Sequence, residues 1–337
     1  MLGWRPFAAG LTVAVLCAAG LGAEPAPPRL QGTFLQLWST HGTWTEETWL
    51  RLFGYLERLR VTALVVQWSV YADIAFYPSE RHTPVPQPPL STILRLAAQR
   101  GMTVLVGLAS DPAFWSKVTR EPALVQSYLR ASRTRSEAVA RELVPLVASY
   151  PSFQGWYISE EIEDGTWNDA RARTILFDHL GALATTLHRL TPGARIAISG
   201  FSNAQTQPST FGEFWTRLLQ ATSIDVFMFQ DGIGVGKQRL SFLPLYLRAA
   251  RDATGASGRE LRVIVELFQQ VGEAGRFTAA PAPLDRIESQ LELAGTYSSS
   301  AGAIAFSTPE YMTPLGGPAA ERLYESYLKR VLRVRPD

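Results

Sequence analysis

The chain has 337 residues, 46% hydrophobic and 18% charged, with a formal net charge of +2. That length suits two average domains or one α/β barrel. The near-neutral balance lacks the basic footprint that nucleic acid or an acidic membrane surface would require, so neither is expected as a partner.

The elements follow in chain order. Arg5 opens a weakly positive segment, Phe7 to Leu21 is apolar but too short to span a bilayer, and Gly20, Gly22 and Ala23 are small. Residues 1–23 read as an export signal cleaved near Ala23, residues 24–31 as a Pro- and Ala-rich linker, and residues 32–335 as one folded domain. The mature chain is then periplasmic or extracellular, with no membrane attachment after cleavage. Cys17, the single cysteine, falls inside the signal, so the mature fold has no disulfide and rests on its core.

From Gly32 the pattern is strand, loop, helix, repeated. Thr33–Trp38 is an apolar strand. Thr43 with Glu46 fits a capping box for a helix whose apolar face is Trp49, Leu52, Phe53, Leu56 and Leu59. Val61–Trp68 is nearly all apolar, as expected when both sheet faces are covered. A proline-rich loop, Tyr71–Pro89, leads to a helix over Ser91–Arg100 that Gly101 closes. Strand Met102–Leu108 precedes a long helix, Pro122–Ala148, with a disturbance expected at Pro145.

The fourth strand, Gly155–Ile158, runs into Ser159, Glu160, Glu161, Ile162, Glu163 and Asp164. Then alternate helix Asp169–Leu190, strand Ala194–Ser199, helix Phe211–Gln220, strand Ile224–Phe229, helix Gln238–Ala253, strand Leu261–Phe268, helix Pro283–Ala294, strand Gly302–Phe306 and helix Ala319–Val334. Eight strands alternating with eight helices imply parallel strands and right-handed crossovers. The fold class is α/β, a single (β/α)8 TIM barrel, with an open doubly wound sheet as the other arrangement. A monomer is expected.

In such a barrel the residues after each strand converge on one rim. Here that rim is carboxylates, amides, hydroxyls and indoles, with almost no Lys or Arg, which suits a neutral polyhydroxylated ligand. Nine Trp, eleven Tyr and sixteen Phe include flat faces on which sugar rings stack, though most serve the core. Glycoside hydrolysis needs two carboxyl groups flanking one bond. The fourth strand end offers Glu161, with Glu160 as the competing choice, and the seventh offers Glu266. The acidic crowd around Glu161 would raise its pKa. The expected binding residues are Trp38, His41, Gln67, Trp68, Tyr71, Glu160, Asn203, Gln230, Asp231 and Tyr311, with Trp167 as a further ring platform.

Other roles remain open at several positions. Glu163 and Asp164 also fit caps or solvated groups, Glu266 a partner of Arg195 or Arg262, and Asp231 a support for the turn behind it. His82, His179 and His188 read as loop or helix-surface residues. The run Asp231 to Lys237 (DGIGVGK) lacks the spacing of a phosphate loop. No His pair stands at metal-ligand spacing and no Gly-x-Ser-x-Gly elbow occurs, so no metal or cofactor is expected.

Six motifs in register carry a resemblance: Gly32–Trp38, Gln67-Trp68, Gly155-Trp156-Tyr157 with Glu161, Gln230 to Gly234, Val265-Glu266, and Ser307 to Pro314. Together they resemble an uncharacterised bacterial family of TIM-barrel proteins related to the cellulase-like (clan A) glycoside hydrolases. The resemblance implies Glu161 as acid/base and Glu266 as nucleophile of a retaining reaction. It also implies Asn before the acid/base, where this chain has Glu160. The expectation is a secreted polysaccharide or oligosaccharide hydrolase; the alternative is a non-catalytic carbohydrate-binding barrel in an exopolysaccharide or cell-envelope system.

Overall fold

The computed structural model describes residues 28–272, 277–299 and 302–333. The expected export signal, with Cys17, and residues 24–27 lie outside the described residues. Eight parallel strands close a barrel: β1 Arg29–Leu35, β2 Ala63–Val66, β3 Thr103–Gly107, β4 Phe153–Glu163, β5 Arg195–Phe201, β6 Val226–Gln230, β7 Glu260–Glu266 and β8 Gly302–Phe306. Each pairs with its chain neighbours, and β8 pairs with β1. The barrel alternative is therefore the one realised, and β1 begins at Arg29, inside the stretch read as linker.

Among the described residues eight longer helices surround the sheet, α1 Glu46–Arg58, α2 Leu90–Gln99, α3 Pro122–Val147, α4 Ala170–Leu190, α5 Pro208–Ala221, α6 Leu243–Ser257, α7 Leu284–Tyr297 and α8 Pro318–Arg330, with two short ones at Phe114–Val118 and Thr308–Tyr311. In α1 the cap is Thr45, not Thr43; its side chain accepts from the Thr48 amide at 3.4 Å. The buried face is Trp49, Leu52, Phe53 and Leu56, as the 3.6-residue period predicted. Helix α3 continues through Pro145, two residues before its end, giving up the one backbone hydrogen bond that a proline cannot donate. The proline-rich loop contains the short strands Val70–Tyr71, Ile74–Ala75 and Thr83–Pro84, which join Ala109–Ser110 in a four-stranded sheet. Beyond β7, Phe268–Gln270 pairs antiparallel with Ala279–Pro281, so the expected seventh strand ends early and a hairpin follows.

Strand side chains alternate between two environments. Phe34, Val65, Leu105, Tyr157, Ala197, Val226, Met228, Ile264 and Ile304 point to the axis and form an inner cluster. Their neighbours Leu35, Val66, Val106, Ile158, Ile198, Phe227 and Val265 join the larger layer under the helices. Both faces are thus apolar until the strands approach their C-terminal ends.

Candidate active site

Two residues beyond the inner apolar layer, the axis-facing positions change character. Val65 is followed by Gln67, Ala197 by Ser199, Met228 by Gln230 and Ile264 by Glu266. Period two alone brings Gln67, Gln230 and Glu266 to the wall of a cavity of about 560 Å³, with Ser199 in the same layer. In β4 the same step from Tyr157 would place Ser159 there. The ladder instead pairs Ile158 with Ile198 and next Glu161 with Ser199, so Ser159 and Glu160 form a bulge of two extra residues. An even insertion preserves the alternation, and Glu161 takes the axial place in the polar layer.

Glu161 Oε1 accepts from Gln230 Nε2 at 3.1 Å and Gln67 Nε2 at 3.4 Å. Gln230 also reaches Ser199 Oγ at 3.2 Å, which shares a 2.6 Å hydrogen bond with the Tyr157 hydroxyl. Burial raises the Glu161 pKa, against the opposing pull of Gln230 and Lys237. The cause is desolvation rather than the neighbouring acids, as the sequence had implied.

Glu266 is 5% exposed and shares the cavity wall with Glu161. Its Oε2 accepts from the Val235 amide at 3.0 Å. A Cβ on Gly234 would meet Phe268 O at 2.4 Å and Glu266 Oε2 at 2.9 Å. The glycine-rich run after β6 therefore lets backbone approach a carboxylate, where a phosphate loop would approach a phosphate. Behind it Asp231 is fully buried, accepting from the amides of Ile233 and Glu266 and from Gln290 Nε2. Burial, then the Asp231 charge, raise the Glu266 pKa, while the Val235 and Gly234 amides and Lys237 act against them. Arg195 and Arg262 both pair with Glu260 and not with Glu266.

Glu160 is held on the helix side of β4, at an edge of the cavity that Ser132 also lines. Its Oε1 accepts from Ser132 Oγ of α3 at 2.8 Å and lies 3.5 Å from His179 Nε2 of α4. Burial would raise its pKa, but His179 and Ser132 hold it below the usual carboxylate range. His179 is only 3% exposed, so it is not the surface residue expected; a helical period brings it inward with Ile175, Leu176 and Leu183. Glu163 accepts from the Gly165 amide at 2.7 Å, the Thr166 amide and Asn203 Nδ2 at 3.2 Å, and so holds the turn after β4.

Of the expected binding residues, Trp38, Gln67, Trp68, Glu160, Gln230 and Tyr311 line the cavity. Four do not stand in its wall. His41 is buried against Trp44 and Trp49, its Nδ1 accepting from the Trp38 amide at 3.0 Å. Tyr71 packs on Trp38 and Trp68 from behind. Asn203 serves Glu163, and Asp231 supports the turn and Glu266. Trp167 is wholly buried and is no platform. In each case the strand-end position was right, but side-chain direction depends on neighbouring loops. Sequence reasoning passed over Lys237, whose Nζ lies 3.6 Å from the centroid of the Phe201 ring, and the rings of Phe201, Phe268 and Phe277. The only signal for Lys237 was its place in the glycine-rich run. Among the described residues no group of three or more His, Cys, Asp or Glu is arranged to hold a metal.

A family model described as a domain of unknown function, DUF4434, matches residues 30–318. The chain belongs to the DUF4434 family. It is 30% identical over 252 residues to the Escherichia coli K12 protein YbcH, itself uncharacterised, covering 73% of this chain and 79% of that one. Among solved structures, a candidate alpha-L-fucosidase from Bacteroides thetaiotaomicron is similar with a TM-score of 0.75, at 20% identity, over 97% of this chain and 100% of that chain. The intracellular xylanase TsXylA from Thermoanaerobacterium saccharolyticum is similar with a TM-score of 0.51, at 11% identity, over 85% of this chain and 90% of that chain. This DUF4434 chain thus has the barrel fold of glycoside hydrolases.

Proposed function

We propose that this DUF4434 protein is an exported glycoside hydrolase acting by double displacement. Glu266 attacks the anomeric carbon and forms a glycosyl ester, while Glu161 gives its proton to the departing oxygen. Water then attacks the anomeric carbon, Glu161 takes its proton, and the bond from that carbon to Glu266 breaks, releasing Glu266 as a carboxylate. The observation that carries the reading is that Glu161 and Glu266, 105 positions apart in the chain, share one cavity at the C-terminal barrel mouth. Burial raises the pKa of both, which disposes Glu161 to give a proton. The Val235 amide and the Lys237 charge favour ionised Glu266 against burial and the Asp231 charge, which push its pKa up to about 8. Trp38, Trp68, Phe277 and Tyr311 supply ring faces on the walls. Export rests on the apolar segment over residues 7–21.

The test is E266Q against wild type on a panel of neutral and amino-sugar glycans, with new reducing ends as the readout. A loss of about a thousandfold or more is expected, with the first-formed anomer retained in NMR. Undiminished turnover by E266Q removes Glu266 from the reaction. Glycan binding without cleavage by wild type would instead support a non-catalytic binding barrel, a reading favoured by the charge repulsion between Asp231 and Glu266.

A further inference from the structure

Among the described residues that line the cavity, three have a buried polar side-chain atom with no hydrogen-bond partner among the described residues: Gln67 Oε1, Ser159 Oγ and Glu160 Oε2. All three side chains are more than nine-tenths buried, at 5%, 7% and 6% exposure. A buried polar atom without a partner costs free energy, so three among the residues lining one cavity point to a ligand that completes them.

Their chemistry is one-sided. The amide oxygen and the carboxylate oxygen only accept, and the hydroxyl does either. Glu160 is held in place by Ser132 and His179 through its other oxygen, so Oε2 is fixed rather than free to turn away. The wall is also acidic: Asp111, Glu160, Glu161, Glu266 and Glu310 line the cavity, and among the described lining residues Lys237 is the one Lys or Arg. Lys117 answers Asp111 at 3.6 Å, whereas among the described residues Glu160 has His179 at 3.5 Å from its other oxygen and no Lys or Arg against it.

We infer that the Gln67, Ser159 and Glu160 wall is a subsite for a protonated amine, and that the substrate is an amino-sugar glycan bearing free, unacetylated amines. This rests on reading the cavity as a glycan site. A hydroxyl offers one hydrogen to such a wall, whereas an ammonium offers three from one atom together with the opposite charge. N-acetylation would remove the charge, leave one N–H and add a carbonyl oxygen facing acceptors.

The experiment is calorimetric titration of the full chain carrying E266Q, which prevents turnover, with tetramers of glucosamine, N-acetylglucosamine and glucose at pH 5.5. The glucosamine tetramer should bind about tenfold tighter, or more, than either of the others. Adding E160Q should bring the three affinities within about threefold, chiefly by weakening the glucosamine tetramer, since the amide keeps an acceptor but loses the charge. Equal binding of the three by E266Q, tighter binding of either uncharged tetramer, or no binding of the glucosamine tetramer would each overturn the inference. Because that comparison uses a single variant, it does not depend on how well the double variant folds. Failure here is separable from failure of the hydrolase reading. Wild type cutting uncharged glycans without preference for amines defeats only the subsite, and amine-selective binding with no cleavage defeats only the hydrolase.

Discussion

At the residue scale the site is a set of carboxyl groups given different tasks by their surroundings. Asp231 is the sharpest case. It is too deep to meet a substrate, yet its charge is one of the causes that raise the Glu266 pKa. D231N removes that charge. The Asn side-chain oxygen still accepts from the Ile233 and Glu266 amides, and Gln290 needs only to turn its amide over. With the repulsion gone Glu266 ionises at lower pH, so the acidic limb of the kcat/KM profile should move to lower pH. An unmoved limb in a pH–rate series would mean that Glu266 is not the group titrating there. Gly234 gives a second prediction. An added Cβ 2.4 Å from Phe268 O and 2.9 Å from Glu266 Oε2 must displace one of them. G234A should therefore lower kcat/KM about a hundredfold, the scale of a 1 Å misplacement, while the circular dichroism spectrum stays as in wild type.

At the element scale the deciding feature is the two-residue bulge of β4. The ladder resumes at Glu161 opposite Ser199, so the number of residues between Ile158 and Glu161 sets which way Glu161 points. Deleting Glu160 alone should turn Glu161 to the helix side or strain the strand, with turnover lost and the melting temperature lowered. Deleting Ser159 and Glu160 together restores the alternation and should leave Glu161 facing the axis, with the higher melting temperature of the two deletions. The reverse order of stability would show that the bulge does not set the register. The glycine-rich run after β6 is the other functional element, since its backbone reaches Glu266 only because Gly234 has no side chain.

At the scale of the whole molecule, the cavity concentrates groups whose charged forms the fold disfavours. Glu161, Glu266 and Glu310 have raised pKa values, each chiefly through burial, and outside the cavity Asp164 is pushed up to about 6 by burial as well. A carboxyl group with a raised folded-state pKa holds its proton more tightly in the native state. Stability is then lost as pH rises from the ordinary carboxylate range through the raised value. E266Q removes one such group without changing its shape. It should raise the melting temperature by about 3 °C at pH 8 and by much less at pH 5, in paired thermal scans. A larger gain at pH 5 than at pH 8 would contradict the assigned direction.

Barrel closure and the strand and helix order were legible in the sequence because they follow from periodicity, whereas the place of Glu161 in the polar layer depends on the β4 bulge, which periodicity does not show. Apolar runs of period two and helical faces of period 3.6 are local patterns, and eight such units leave few ways to bury every face. The side chains that stand in the wall were decided only by tertiary structure. His41 and Trp167 turned into the core, Asn203 and Asp231 were taken up by carboxylate and turn, and Lys237 and His179 arrived from a loop and a helix that no strand-end rule covers. The physical reason is that a strand end fixes where a backbone points, whereas the direction of its last side chains is settled by hydrogen bonds to residues distant in the chain.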